Sequence, residues 1–222
     1  LDGRLVAFSV TTAHHLDIGA ATPGSAGIVE AVDAYAEGLQ FKAIKVVDQG
    51  RSNAAVWQIL RDNIRAPDLV VGDMEAQIKA AEIGAARFLE LAERYGIDAI
   101  NAAAADLMDY SERLMRDAIR ALPDGTYTAE TVFDGYSDDP DPSRRDLPIK
   151  VAVTIAGDAI TVDLTGTAPQ VPDRPINMPF EGTVDCAIWL TLRSILLDSA
   201  EFCEVPQNAG MTRPIRIVAP KG

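Results

Sequence analysis

The chain has 222 residues, with 33 acidic against 20 basic side chains and a formal charge of −13. That balance excludes a nucleic-acid backbone as partner, which needs clustered Lys and Arg, and equally disfavours an anionic membrane surface. Hydrophobic content of 48% with 24% charged residues is ordinary for a soluble globular protein, and the length allows one good core or a core plus an appended unit.

No apolar run reaches the roughly 20 residues needed to span a bilayer, and no basic, apolar signal sequence opens the chain. Two cysteines, Cys186 and Cys203, are too few for a disulfide framework, so a reduced, cytoplasmic setting is expected. Leu1-Asp2-Gly3-Arg4 reads as a β-turn feeding a strand over 5–10, Leu5-Val6-Ala7-Phe8-Ser9-Val10, as if another strand preceded it. At the other end a strand-like run, Ile215-Arg216-Ile217-Val218, is followed by Pro220-Lys221-Gly222. Both ends are expected to be cuts through a larger fold.

The first strand leads into Ala13-His14-His15-Leu16-Asp17-Ile18-Gly19, which holds both histidines of the chain. On an extended backbone His15 and Asp17 share a face and His14 points to the other. Imidazole beside carboxylate suits a metal, or a histidine with its orienting carboxylate. A packed or solvated pair at a strand end is the plainer reading of the spacing alone. The set is incomplete as a catalytic metal site, which usually takes three protein ligands.

Acidic residues follow at Glu30, Asp33 and Glu37, then a short strand over 41–47. Residues 54–65 read as a helix with Val56, Trp57, Leu60 and Ile64 on one side, stopped by Pro67. Met74, Ile78, Ala81, Ala85, Phe88, Ala92 and Tyr95 then make an apolar stripe along one helix, with Gly96 as its stop. Asp73 is placed as its N-cap or first-turn acid. A second helix carries Ile97, Ile100, Ala104, Leu107, Leu114, Ala118 and Leu122, and ends at Pro123. The two helices, about 23 to 26 residues and roughly 35 Å each, are expected to form an antiparallel hairpin whose stripe is core packing.

From Asp124 the pattern becomes β. A strand over 126–136 and an acidic loop at 138–142 precede a hairpin of 149–155 with 159–165, turning at Gly157-Asp158. Its second strand alternates Ile160, Val162 and Leu164 with polar residues, so one face is wet. After the Pro-rich loop 166–172, residues 180–197 look helical in their second half. The fold class is therefore α+β, with strands at both ends and a long helical hairpin between them. Three segments follow: 1–53 with the histidine pair, 54–123 helical, and 124–222 β-rich with one helix.

No G-x-x-x-x-G-K-[ST] or G-x-G-x-x-G loop is present to cradle ATP or a dinucleotide, and no G-x-S-x-G elbow. Cys186 in an apolar helix and Cys203 beside acids sit where a thiol pKa rises, so a Cys/His nucleophile pair is not expected.

Five stretches together resemble the hydantoinase B/oxoprolinase family: AHHLDIG with TPGS after it, the acid-Gly pair at Glu37-Gly38, GDMEAQIKAAEIGAARFLELAERYG, DLTGTAPQVPDRPIN and PQNAGMTRPIRIVAPKG. That family includes ATP-dependent hydantoinases, 5-oxoprolinases and the large subunits of acetone and acetophenone carboxylases. The resemblance covers essentially the whole chain and implies a middle fragment of a B-type subunit. It also implies a divalent metal (Zn, Mn or Fe) in the intact protein, and ATP used by an A-type partner subunit. The substrate would be a small cyclic amide or imide to be hydrolysed, or alternatively a ketone to be carboxylated. By the family pattern His14 is the metal ligand, where strand alternation groups His15 with Asp17. Both are kept, with Asp17 and Glu37 as the catalytic carboxylates. The family's other ligands lie in a preceding Asn-Asp-Pro and His-x-x-Asp stretch that is absent here, so the remainder of the B-type subunit is needed. A non-catalytic assembly scaffold is the alternative of a different class.

Overall fold

The computed structural model describes the chain except Asp2 and residues 26–32, 172–177 and 198–204; Glu30 and Cys203 thus lie outside the described residues. The chain packs as two compact units, one built on Leu1–Ile100 and one built mainly from Asn101–Val171 and the C-terminal part. The boundary falls in the first turn of a long helix, Ile97–Arg120.

In the first unit the expected strand over 5–10 does not form. No described strand pairs with it, and Phe8 and Val10 stand 79% and 76% exposed. The expected strand over 41–47 shrinks to a two-residue hairpin, Val47–Asp48 (β1) with Arg51–Ser52 (β2). Its turn holds Gln49 at φ 50° and Gly50 at φ 76°, both left-handed as a type I′ turn requires. Helix α1, Ala54–Asn63, buries Val56 and Leu60 with Ile64 just past its end, the face read from the sequence. These side chains form a small core with Val70, against which Leu39, Val46, Trp57 and Met74 pack.

Helix α2 runs Pro67–Tyr95 and so begins before Asp73, which lies exposed in its interior and caps nothing. Pro67 was expected to stop the previous helix. It opens the next one instead, because its fixed φ and missing N–H suit a first helical position. Asp68 supplies the first-turn acid and pairs with Arg61 at 3.0 Å. Gly96, at φ 80°, closes α2 with its N–H on Ala92 O at 2.9 Å. The α2 stripe is not one dry seam: Ala92 is buried, Met74, Ile78, Ala81 and Phe88 are half-buried, and Ala85 and Tyr95 are exposed.

In the second unit, α3 (Ile97–Arg120) leads to the strands Gly125–Asp134 (β3), Asp146–Ala156 (β4), Ala159–Asp163 (β5) and Ile215–Val218 (β6). They form a sheet in the order β3-β4-β5-β6, antiparallel except for the parallel β5/β6 pair. Helix α4, Asp185–Leu196, lies in the long connection that a parallel pair requires. The turn at Gly157-Asp158 is as read, with Gly157 at φ 62°. On β5, Ile160 and Val162 are buried and alternate with half-buried neighbours. They meet Met115 and Ile119 of α3, with Ile155, Leu197 and Met211 completing the core. Leu114, Ala118 and Leu122, the expected stripe, flank that core only half-buried, because the fully buried row of α3 is Ser111, Met115 and Ile119.

Polar side chains fix this arrangement. Arg116 and Arg120 reach the Asp158 carboxylate in the β4–β5 turn at 3.0 and 2.7 Å. Arg213 binds Asp109 and Glu112 of α3 at 2.7 and 2.8 Å. Asn208 donates to Ser111 Oγ and accepts from Gly210 N–H, both at 2.9 Å. A Cβ on Gly210 would fall 1.9 Å from Met108 O, so only glycine lets this loop reach α3. The sequence motif around Asn208, Gly210 and Arg213 is thus a docking device for the loop. Among the described residues no helix is long and apolar enough to cross a membrane.

Truncating Ile119, fully buried in this core, to Ala should cost about 2 to 5 kcal/mol in chemical denaturation. The exposed Leu89→Ala should stay within about 0.5 kcal/mol of the parent. Equal losses at the two positions would place the core elsewhere.

Candidate functional site

The histidine segment has no regular secondary structure, and its conformation is set by Asp17. That side chain is 2% exposed. Its Oδ1 accepts from Gly19 N–H at 3.1 Å and from Arg65 Nη1 at 2.8 Å, and its Oδ2 accepts from Arg65 N–H at 2.7 Å. Arg65 also donates through Nη2 to Ala20 O at 2.6 Å. A residue between two helices therefore grips both the carboxylate and the main chain of the loop. The hydrogen bond from the Arg65 main chain is the chief reason the Asp17 carboxyl lies below the usual carboxylate range. Burial opposes it, while Gly19 N–H and the guanidinium charge assist.

The same loop is knitted to the Glu37 segment. Ala21 N–H donates to Ala36 O at 2.8 Å and Leu39 N–H to Ile18 O at 2.9 Å. Gly38 stands at φ 98°, and a Cβ there would fall 2.5 Å from Ile18 O, so the residue after Glu37 must be glycine for the two loops to touch. Asp33 caps the short 3-10 turn Ala34–Glu37 by accepting from Tyr35 N–H at 2.9 Å. Glu37 itself is exposed on that turn.

His14 is exposed, and its Cε1 lies 3.9 Å from where a Cβ on Gly24 would sit. His15 is half-buried, and its Nδ1 is sealed from solvent without a hydrogen-bond partner. The structure thus gathers the segments bearing His14, His15, Asp17 and Glu37 into one loop cluster. Asp17, however, turns both oxygens to Arg65 and Gly19 N–H and orients neither imidazole. Two open grooves flank Trp57, one of about 400 Å³ along Val10, Thr11, Met74 and Gln77, and neither is lined by the four candidate residues. Cys186 is exposed, and partial desolvation by its neighbours, followed by the Asp185 charge, raises its thiol.

Arg65 escaped the sequence reading. Its signal is position: it is the charged member of Ile64-Arg65-Ala66, the gap between α1 and α2, where a cation has no helical partner.

A metal can be tested against these groups. The unmet Nδ1 of His15 fits a ligand role, but the Asp17 oxygens already hold N–H donors, and among the described residues no group of three His, Cys, Asp or Glu could hold an ion. The described residues fit one arm of such a site and not a whole one.

Asp17→Asn keeps the volume but turns a donor toward Arg65. It should cost about 2 to 4 kcal/mol. A carboxyl held low in the folded state stabilises it above the unfolded value near 3.9, and that stability is lost as pH falls through the depressed value. Acid titration of stability should therefore be shallower in Asp17→Asn than in the parent. Parallel curves would mean that the pair contributes nothing.

Comparison with known proteins places these observations. A Pseudomonas sp. (strain NS671) protein, provisionally named as the B-type subunit of a D-/L-hydantoinase, is 68% identical over 219 residues, 99% of this chain and 37% of that protein. The crystal structure of an ATP-dependent caprolactamase from Pseudomonas jessenii superposes with a TM-score of 0.70 at 30% identity, covering 92% of this chain and 33% of the other. A nucleotide-free acetone carboxylase gives a TM-score of 0.76 at 17% identity, a likeness of fold alone, over 91% of this chain and 27% of that one. The chain thus spans little more than a third of these proteins at most. The family model for hydantoinase B/oxoprolinase matches residues 1–222, and the chain belongs to that family.

Proposed function

We propose that this chain is part of a B-type subunit of an ATP-dependent hydrolase that opens the C–N bond of a small cyclic amide or imide. The observation that supports it is the 68% identity to the B-type hydantoinase subunit, over almost the whole chain. The match to an ATP-dependent caprolactamase, whose substrate by its name is a cyclic amide, points the same way. In this reading ATP is used on an A-type partner subunit; these 222 residues carry no phosphate-cradling loop. The cytoplasm is the proposed location.

An unactivated amide carbonyl needs polarisation and an activated water, and a divalent Zn, Mn or Fe in the intact protein would supply both. His14 or His15 would give it one imidazole, and the remainder of the B-type subunit the other ligands. Glu37 is the carboxylate left free to handle protons, while Asp17 holds the loop in place. A carboxylase acting on a ketone has weaker support, 27% identity to an acetophenone carboxylase subunit over 79% of the chain and a likeness of fold to acetone carboxylase. A non-catalytic scaffold is favoured by one observation, the lack of three gathered ligands among the described residues.

Two measurements separate these readings. The full-length B-type protein purified alone should not turn over ATP, whereas adding its A-type partner and a cyclic amide should yield ADP. Turnover by the B-type protein alone would overturn the division of labour. In the intact complex, either His14→Ala or His15→Ala should lose metal and activity with an unchanged circular dichroism spectrum. Full metal content in both variants would favour the scaffold.

A further inference from the structure

The sheet of the second unit has β3 at one edge, a strand of ten residues that are all exposed. Its pairing with β4 runs unbroken from Gly125 to Asp134 and so contains no bulge. Which of its backbone groups face outward follows from β4. Lys150 N–H donates to Thr167 Oγ1, which donates back to Lys150 O, both at 3.1 Å, and Pro148 O accepts from Ala168 N–H at 2.8 Å. The even-numbered residues of β4 are thereby turned away from β3. The odd-numbered ones, opposite Gly125, Tyr127, Ala129, Thr131 and Phe133, make the ladder. The N–H and C=O groups of Thr126, Thr128, Glu130 and Val132 therefore point off the sheet, and no hydrogen bond from the described residues reaches them.

Exposed edges are ordinarily blunted by proline, lysine, a bulge or shortness, and β3 has none of these. Its one central charge, Glu130, is met across the ladder by Lys150 at 3.3 Å. Tyr127, Ala129 and Phe133 lie on the face that carries Val153, Val151 and Leu147 of β4, yet Tyr127 is 48% and Phe133 52% exposed. Such an edge is a template for one more strand.

We propose that this edge pairs with the same edge of a second copy of the chain, antiparallel about a twofold axis at Ala129. The sequence of β3 selects both the occupant and the register, because the strand is complementary to itself there. Outward-bonding residues meet outward-bonding residues, Thr126 with Val132 and Thr128 with Glu130 of the second copy. Phe133 covers Gly125 of the second copy, an aromatic ring over a glycine, and Tyr127 faces Thr131. Ala129 faces itself in a non-hydrogen-bonded pair, whose separation of about 4.5 Å between Cα atoms suits a small side chain. An axis at Glu130 would set two carboxylates opposite each other, and one at Thr128 would carry Phe133 past the end of the second strand. The contact is isologous and closes at two chains. It does not depend on the proposed activity.

Two measurements on the full-length protein test it. Sedimentation equilibrium should show a dimer whose Kd rises at least about tenfold in Thr128→Pro, with an unchanged circular dichroism spectrum, since that N–H serves no bond within the chain. A monomer, or a dimer indifferent to Thr128→Pro, would overturn the proposal. With the other cysteines replaced by serine, Ala129→Cys should join two molecules through a symmetric disulfide under mild oxidation. Thr131→Cys, two residues along the same face, should not. Equal cross-linking at the two positions would overturn the register. An Ala129→Cys protein that stays uncrosslinked, with its thiol shielded from alkylation, would mean that a different strand covers the edge, and the second copy would be excluded.

Discussion

The first unit depends on one ion pair. Asp17 and Arg65 are 48 residues apart in sequence, and the pair is more than a charge contact. The buried carboxylate accepts from the Arg65 main chain, from its guanidinium and from Gly19 N–H, while Arg65 holds a carbonyl of the same loop. A buried carboxylate with filled oxygens stabilises its surroundings, whereas one with a vacant lone pair destabilises them. The histidine loop therefore has one conformation as long as the α1–α2 junction does.

Everything else in the loop cluster hangs from that pair. Once residues 17–21 are fixed, their free N–H and C=O groups meet Ala36 and Leu39, which sets the turn bearing Glu37. Glycines stand at the close approaches, Gly19 under Asn63 O and Gly38 over Ile18 O. A side chain at either point would force the loops apart. The site is thus built from main-chain contacts between loops, with its chemical side chains displayed on them.

The second unit obtains its rigidity differently. There a sheet face of Ile155, Ile160 and Val162 is covered by Met115 and Ile119, and the charged side chains on the same helix lock its turn and final loop. Among its described residues no group of three His, Cys, Asp or Glu could hold a metal ion, and its motif-bearing loop, Pro206 to Pro214, serves as architecture.

Periodic features were legible in the sequence because each needs only its own neighbours. The α1 face, the β4–β5 turn at Gly157, the inward row Ile160 and Val162, the helix stop at Gly96 and the last strand all follow from local spacing. Recognition of the family rested likewise on runs of adjacent residues. What failed needed partners. Residues 5–10 have every strand propensity but, among the described residues, no second strand to pair with, and propensity alone closes no ladder. Pro67 could end one helix or begin another, and only the packing of Val70 into the small core decided which. Asp17 was read against His15 because alternation puts them on one face, yet an arginine 48 residues away supplied two donors where an imidazole could supply one. The sequence by itself determined the locally periodic elements and the family to which they belong. The tertiary structure alone decided which side chains were consumed in holding the loops and which were left free, because a buried carboxylate goes to the partner that fills most of its lone pairs.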